Sequence, residues 1–570
     1  MMLAQLKRLR SAGISAAAIA AVVVGFTFPG SMAAMAVSLL VFAAVWKLAG
    51  TGMAAYGNAR ILACLALIVN VWLLNPDRLV YLTAVVVYMG YIAVASNVRK
   101  ALGVGFLNSY NLGVRRGTFV RLTQPAVVTR VGNGLAVLVA AVGFVPEGAA
   151  QTAADIALAS VLAVFFGVVG ARVLSALVQR QRDAHPVDAQ VVEAVEDLEP
   201  RFAVHFAGTP GSEYQLTMWL PYFEAVGDPY IIIVRDAHLV PGIVAATDAP
   251  VIHAPAQSVL DRLLPDTVRA CFYSNHAVKN TQLIKNGDYI HIQLMHGDSD
   301  KAISRSAASL VYDQVWVAGQ AGVDRYHRHG VDIPNYKFRI IGRPQLSDIA
   351  VGERSEEDRA SDGRTTVLYT PTWAGLNSDA DYSSLSQAHG IVDALLERDV
   401  NVIFRTHPYT KVNPAYLRIA NEVQEKLAGD RERTGKKHLY GAPAETEVTL
   451  TECVNRADVA ISDISGTASD WLYGGRPFAM TDPRGYGDEY VEEFPIAKAA
   501  YRLRDDLSNL EEVLDELLVH DSLEGGRAKV RVYYLSDIPP EGLVRAFTEA
   551  CRATYAKPVV KRALAAESGV

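Results

Sequence analysis

Two histidines in this sequence stand directly after apolar, β-type runs. His296 follows the run 289–294 in Met295-His296-Gly297-Asp298, with Lys301 and Arg305 close behind, and His407 follows 400–404 in Arg405-Thr406-His407-Pro408. An unperturbed imidazole titrates near pH 6.5, so either ring can take or give a proton in a reaction at neutral pH. A third stretch, 457–477, reads ADVAISDISGTASDWLYGGRP. Its apolar residues 459–461 pass abruptly to Ser462, Asp463, Ser465, Gly466 and Thr467, and then to an amphipathic segment with Trp471 and Leu472, which predicts a buried strand, a tight turn and a helix. The start of such a helix exposes backbone N–H groups and the positive end of the dipole, which suits a phosphate or pyrophosphate, and Gly466 lets the ligand come close. Ser465 or Thr467 acting simply as a helix cap is the competing reading, and the turn alone does not separate the two. Two further runs end in polar residues, 365–369 in Thr370-Pro371-Thr372-Trp373 and 338–341 in Gly342-Arg343-Pro344. A lone histidine after a strand is more often structural than catalytic. Two of them, each beside a glycine or proline and joined by a phosphate-type turn, favour a real site.

Such a site needs a scaffold that brings distant strand ends together. From residue 202 onward, β-rich runs at 202–206, 230–234, 251–253, 270–273, 289–294, 314–317 and 338–341 alternate with helical spacings such as 214–225 and 321–329. A polar break at 351–364 marks a linker, and a second series follows at 365–369, 400–404, 459–461 and 477–480. This alternation predicts two α/β halves, 201–350 and 365–556, built on largely parallel sheet with helices on both faces, followed by a tail, 557–570. Ligands in such sheets gather at the carboxyl ends of the strands, where the polar residues above stand.

The 570 residues exceed one ordinary domain, and the net charge of -6 averages two unlike parts. Neither part carries a basic stripe interleaved with aromatics, which excludes nucleic acid as an expected partner. Cys64, Cys271, Cys453 and Cys551 are far apart, without metal-ligand or disulfide spacing, and fit a reducing compartment. Residues 1–182 are rich in Ala, Val and Leu, with apolar runs at 13–28, 31–45, 61–74, 79–95, 131–144 and 156–177. We expect an α-helical multi-pass membrane domain of about six crossings, although the first three runs are short enough to pair as re-entrant hairpins. Thirteen loop cations from Lys7 to Arg182 fall on one side of that path and Arg78 alone on the other. The positive-inside rule then puts both termini, and all that follows Arg182, in the cytoplasm. The loop 97–130 is expected against anionic headgroups, and 183–200 as a charged linker or juxtamembrane helix. Acids are nearly absent from the runs, which argues for anchoring over transport.

In order and spacing, the four strand-end sites resemble the CDP-glycerol glycerophosphotransferase family, the wall and lipid teichoic acid primases and polymerases. The matching residues are His296-Gly297, Pro371-Thr372-Trp373, His407-Pro408, and Ser462-Asp463-Ile464-Ser465-Gly466 with Asp470 and Arg476-Pro477. The resemblance spans about 202–556 and none of the membrane segment. Ile464 stands where the family has an aromatic residue and Gly466 where it has a second serine. Asp298-Ser299-Asp300-Lys301 replaces a run of proline and paired lysines, a departure that bears on the acceptor.

The resemblance implies a glycosyltransferase-B fold, two Rossmann-like halves facing a cleft, and transfer of a polyol phosphate from CDP-glycerol or CDP-ribitol to a lipid-linked or cell-envelope polymer, releasing CMP. It implies His296 as the base and His407, with Ser465, Gly466 and Thr467, as holder of the pyrophosphate. Arg405, Arg343, Thr372, Ser462 and Asp463 join the donor side, and Gly297, Asp298 and Lys301 the acceptor side. No carboxylate cluster marks a metal site, and a magnesium requirement is left open. Family members attach to membranes peripherally, so an integral anchor extends the pattern. An inverting glycosyltransferase of the same fold, using a nucleotide sugar, is the alternative function. A non-catalytic membrane scaffold is a third reading, under which both histidines would be dispensable.

Overall fold

The computed structural model describes residues 16–24, 26–49, 57–103, 107–114, 125–143, 145–354, 363–375 and 381–556. The chain forms two compact units, Met1–Asn108 with Arg115–Gln190, and Ser109–Val114 with Val191–Val570.

The first unit is helical: α1 (Met32–Ala49), α2 (Gly57–Leu74), α3 (Leu79–Gly103), α4 (Pro125–Gly143) and α5 (Ala149–Leu198), with residues 16–24 also helical. Leu67, Tyr81, Val85, Tyr88 and Val139 form its core. Two of its buried tyrosines are satisfied internally: Tyr81 Oη donates to Val139 O at 2.8 Å and Tyr88 Oη to Gly132 O at 2.7 Å. Arg78, the lone cation on the opposite side of the expected path, is buried. Its guanidinium donates to both oxygens of Asp155 at 2.9 and 2.7 Å and to Val142 O at 2.6 Å, so it is an internal brace of the bundle.

The six expected crossings are not shown. Among the described residues one helical stretch, Ala149–Ser175, is long and apolar enough to cross a membrane, while Met32–Phe42, Ala59–Leu74, Leu79–Ala93 and Gly134–Gly143 are shorter apolar helices of 10–17 residues. A helix rises about 1.5 Å per residue, so those four fall short of the roughly 30 Å of a hydrocarbon core. Apart from Arg60 and Arg78, the cations on which the orientation rests lie with their side chains outside the described residues. The charged segment expected at 183–200 is helical through Leu198 as the end of α5.

The second unit holds two sheets. The first has the order β1-β4-β3-β2-β5-β6-β7-β8, from β1 (Asn108–Tyr110), β2 (Phe202–Phe206), β3 (Tyr230–Val234), β4 (Val251–His253), β5 (Ala270–Tyr273), β6 (Ile290–Gln293), β7 (Gln314–Val317) and β8 (Phe338–Ile340). The pairs from β4 across to β8 are parallel. The second sheet is parallel throughout, in the order β10-β9-β11-β12-β13, from β9 (Thr366–Thr370), β10 (Asn401–Phe404), β11 (Val459–Ser462), β12 (Phe478–Asp482) and β13 (Tyr501–Arg504). Strands β2, β3, β9 and β12 are buried along their whole length, which is why they read as continuous apolar runs rather than alternations.

Two strands were not expected. Asn108–Tyr110 lies inside the stretch expected to face headgroups, yet it forms the edge of the first sheet, and Asn111 Nδ2 donates to Thr247 O at 3.0 Å. Tyr501–Arg504 closes the other sheet, a half-exposed edge whose arginines hide the strand pattern.

Helix α6 (Leu220–Val226) covers the first sheet, α7 (Gln320–Arg328) follows β7, and α8 (Pro414–Thr434) and α9 (Gly466–Gly474) flank the second sheet. After α10 (Glu524–Leu535) the chain turns at Ser536, whose φ of 65° is rare for a side-chain-bearing residue, into α11 (Pro540–Tyr555). Phe547, Ala550, Cys551 and Tyr555 of α11 join Phe202, Trp219, Phe223 and Phe272 in the core of the first sheet. The last helix therefore returns to the first half although it follows the second in the chain. The linker residues 355–362 and the tail 557–570 lie outside the described residues.

Candidate functional site

His296 leaves the end of β6 through an unusual turn. Met295 has φ 58°, a left-handed conformation that a residue with a side chain rarely adopts, and it is held from two sides. Its N–H donates to Gln293 Oε1 at 3.0 Å, and its carbonyl accepts Trp219 Nε1 at 2.8 Å. His296 Nδ1 lies 3.1 Å from the carbonyl of Ser274, which can only accept, so Nδ1 carries the hydrogen and Nε2 keeps its lone pair. Burial holds the ring well below its usual range, at about 4, with a smaller push from Arg343. It is therefore neutral at pH 7.

His407 has the opposite tautomer. Its Nδ1 accepts the Tyr409 N–H at 3.0 Å, which puts the hydrogen on Nε2. Burial, then the charge of Lys301, lower this ring to about 3. Tyr214 stands edge-on to both rings, with centroids 6.0 Å from His296 and 6.2 Å from His407, and Trp373 stacks on His407 at 6.0 Å.

The carboxyl ends of the two sheets meet here. Lys301, from the loop behind His296, donates through Nζ to Thr372 Oγ1, beyond the end of β9, at 2.8 Å. Burial lowers this ammonium to about 8, against the favourable charges of Asp463 and Asp381, so it remains a cation at neutral pH. A Cβ built on Gly466 would lie 3.8 Å from Gly297 Cα and 3.9 Å from Asp298 O. The start of α9 thus sits against the His296 loop.

The competing capping role for Ser465 is absent: it is the N-cap residue of α9 but makes no side-chain cap hydrogen bond, and its Oγ lies 3.3 Å from Ser462 Oγ. The first N–H groups of α9 consequently have no side-chain acceptor of this kind. Thr467 is half-buried one turn position further on.

The other expected site residues are committed elsewhere. Asp463 is fully buried and ties three strand ends together, accepting from Thr372 N at 2.6 Å, Ser384 N at 3.1 Å and Thr481 Oγ1 at 2.6 Å. Burial raises its carboxyl above the usual range, and these bonds offset the rise only in part. Ser462 Oγ accepts Thr370 Oγ1 at 3.0 Å within the same brace. Arg343 forms a buried pair with Asp470 of α9 at 2.7 Å and so joins the two halves. Asp298 pairs with Arg325 at 2.6 Å, and that guanidinium also holds Asp300 at 2.9 Å. Arg405 turns into its own half, donating to Ala444 O and, at 2.7 Å, to Val448 O.

The structure thus brings His296, Gly297, Lys301, Thr372, His407, Ser465 and Gly466 to one place. It adds Tyr214, Trp219 and Gln293, none of which carries a local signal, since each acts on residues distant in the chain or through a backbone atom. Among the described residues no group of three or more His, Cys, Asp or Glu side chains is arranged to hold a metal ion.

Chemically, the site offers a neutral imidazole nitrogen with a free lone pair, an imidazole N–H, an ammonium and an uncapped helix start. A base facing a set of anion donors is what transfer of a phosphate-bearing group to a hydroxyl requires.

No family model and no curated protein matches the chain. Among solved structures, it is similar to the wall teichoic acid polymerase TagF, at 13% identity and TM-score 0.43 over 67% of this chain and 96% of that one. It is also similar to a glycosyltransferase from Rickettsia africae, at 12% identity and TM-score 0.39 over 62% and 98%. A third is HepE of Anabaena in complex with UDP and glucose, at 10% identity and TM-score 0.38 over 62% and 99%. Likeness of that degree assigns no function to this chain.

Proposed function

We propose that this chain is a membrane-associated transferase that moves a polyol phosphate, glycerol phosphate first among the candidates, from a CDP-polyol to a lipid-linked or cell-envelope polymer, releasing CMP. The observation that carries the reading is the pair of opposite tautomers: His296 presents a lone pair and His407 a hydrogen, on the two halves, beside the uncapped start of α9. In this reaction an acceptor hydroxyl oxygen bonds to the distal phosphorus of the donor and its proton passes to His296 Nε2. The bond between that phosphorus and the bridging oxygen breaks, and CMP leaves with the electron pair. The charge gathering on CMP is met by His407 Nε2–H, by Lys301 and by the first N–H groups of α9, which are in place before the reaction and need no reorganisation. On this reading Ala149–Ser175 anchors the protein in the cell membrane, and the second unit works on the cytoplasmic side, where nucleotides are made.

The test is to incubate the purified full chain and a lipid-linked polymer acceptor with CDP-glycerol, CDP-ribitol or a UDP-sugar. CMP release from a CDP-polyol is expected. UDP release would assign the inverting glycosyltransferase instead, and no release from any donor would favour the scaffold.

The pH dependence follows from the two buried rings and the lysine. In the free enzyme kcat/KM should rise through about pH 4, where His296 loses its proton, and fall above about pH 8, where Lys301 loses its charge. An ordinary exposed histidine would instead put the acid limb near 6.5. Stability runs in the same sense on the acid side. Between 6.5 and about 4 the unfolded chain binds protons that folded His296 does not, so this contribution is complete above 6.5 and is lost as the pH falls. A kcat/KM profile and a thermal midpoint recorded across pH 3.5–9 check both statements.

A further inference from the structure

Gln293 is fully buried, and every polar group of its carboxamide is used. Oε1 accepts the Met295 N–H at 3.0 Å, while Nε2 donates to Asn275 O at 3.0 Å and to His276 Nδ1 at 3.2 Å. These partners flank the two backbone points that define His296. Met295 precedes it, and Asn275 follows Ser274, whose carbonyl holds its Nδ1 hydrogen. Asn275 is fixed in turn, its Nδ2 donating to Ala207 O at 2.9 Å and Gln215 Oε1 at 3.0 Å. His276 accepts from Gln293 on Nδ1, so its Nε2 carries the hydrogen and donates to Ser309 Oγ at 3.3 Å.

We propose that Gln293 is a positioning residue that sets both the backbone and the tautomer of His296, by spanning from the left-handed Met295 to the 274–276 loop, with Trp219 closing the other side of Met295. The proposal rests on the reading of His296 as the base. Met295 has a side chain in a conformation that side chains disfavour, and relaxation of its φ would turn the residue that follows away from the Ser274 carbonyl. Only a carboxamide both accepts from Met295 and donates to Asn275. A carboxylate would set a second oxygen against that carbonyl, and an aliphatic chain would leave both backbone groups buried without a partner.

The experiment compares Gln293→Leu, Trp219→Phe and Gln293→Leu/Met295→Gly in the full-length protein. Three quantities are measured on each: single-turnover rate, CDP-glycerol affinity, and the pH dependence of carbethoxylation of His296 followed by peptide mass spectrometry, a reaction of the unprotonated ring that needs no turnover. Gln293→Leu should lower the single-turnover rate by about 10²-fold, the cost of a misplacement on the order of 1 Å, with donor affinity unchanged. Its His296 modification profile should move off about 4, because the ring leaves both the Ser274 carbonyl that raises it and the buried setting that lowers it. Trp219→Phe should shift both in the same direction by less. Met295→Gly in the Gln293→Leu background should restore rate and profile in part, because glycine adopts the left-handed turn without being held.

An unchanged profile and rate in folded Gln293→Leu overturn the proposal. If that variant does not fold, an unchanged profile in Trp219→Phe does so. Full activity in His296→Ala would remove the catalytic reading instead, while the modification profiles still report whether Gln293 sets the ring.

Discussion

Replacing His296 by alanine should cut the single-turnover rate by about 10²- to 10⁴-fold and leave donor affinity nearly intact, because a base acts chiefly in the transition state. His407→Ala should behave differently. Its Nε2–H is placed to meet phosphate charge both in the bound donor and on the leaving CMP, so binding and rate should weaken together. The difference follows from which ring nitrogen carries the hydrogen: the Ser274 carbonyl claims it on His296, and the Tyr409 N–H forbids it on His407 Nδ1. Two structural histidines would give another pattern, with each substitution lowering the thermal midpoint more than the activity per folded molecule. Donor affinity, single-turnover rate and thermal midpoint measured on both variants separate these outcomes. Full single-turnover activity in folded His296→Ala would exclude it as the base.

Gly466→Asp should abolish donor binding while the protein stays folded. The position is open enough for a side chain, since a Cβ there meets Gly297 and Asp298 only at ordinary contact distances of 3.8–4.0 Å. Gly466 is the first residue of α9, where a carboxylate favours the helix through its dipole and the free N–H groups. The substitution thus leaves the helix intact or strengthens it while placing a negative charge where a diphosphate would bind. Gly466→Ala is the control for bulk and should cost far less. Calorimetric titration with CDP-glycerol, beside a thermal melt, checks the pair. Undiminished binding by folded Gly466→Asp would place the donor elsewhere.

Much of the second unit could be read directly from the chain. Its central strands are buried on both faces, so each is a short apolar run closed by a polar turn, and eleven such runs agree with observed strands to within a residue or two. The four strand-end sites were legible for the same reason, since the change from apolar strand to polar loop is a local event. Two of the four edge strands, β1 and β13, were not: β1 reads Asn-Ser-Tyr, and β13 reads Tyr-Arg-Leu-Arg and buries only its leucine, so neither forms an apolar run. The membrane segment is supported only in part. Apolarity marked its helices, but crossing a bilayer also depends on uninterrupted length, and only Ala149–Ser175 has it among the described residues.

The roles within the site were beyond any local reading. Asp463, Arg343, Asp298 and Arg405 have the chemistry of phosphate or acceptor ligands, yet each is engaged by a buried partner, which Asp470 supplies for Arg343 and Arg325 for Asp298. By itself the sequence determined where the strands end, which residue types stand there and that two α/β halves follow a helical region, because burial of an apolar face imposes a periodicity on neighbouring residues. Only the tertiary structure decided that Lys301 meets Thr372, that Gly466 faces the His296 loop, that α11 returns to the first core, and which nitrogen of each histidine is free. Those choices depend on which distant groups satisfy one another once water is excluded, a condition that leaves no periodic mark along the chain.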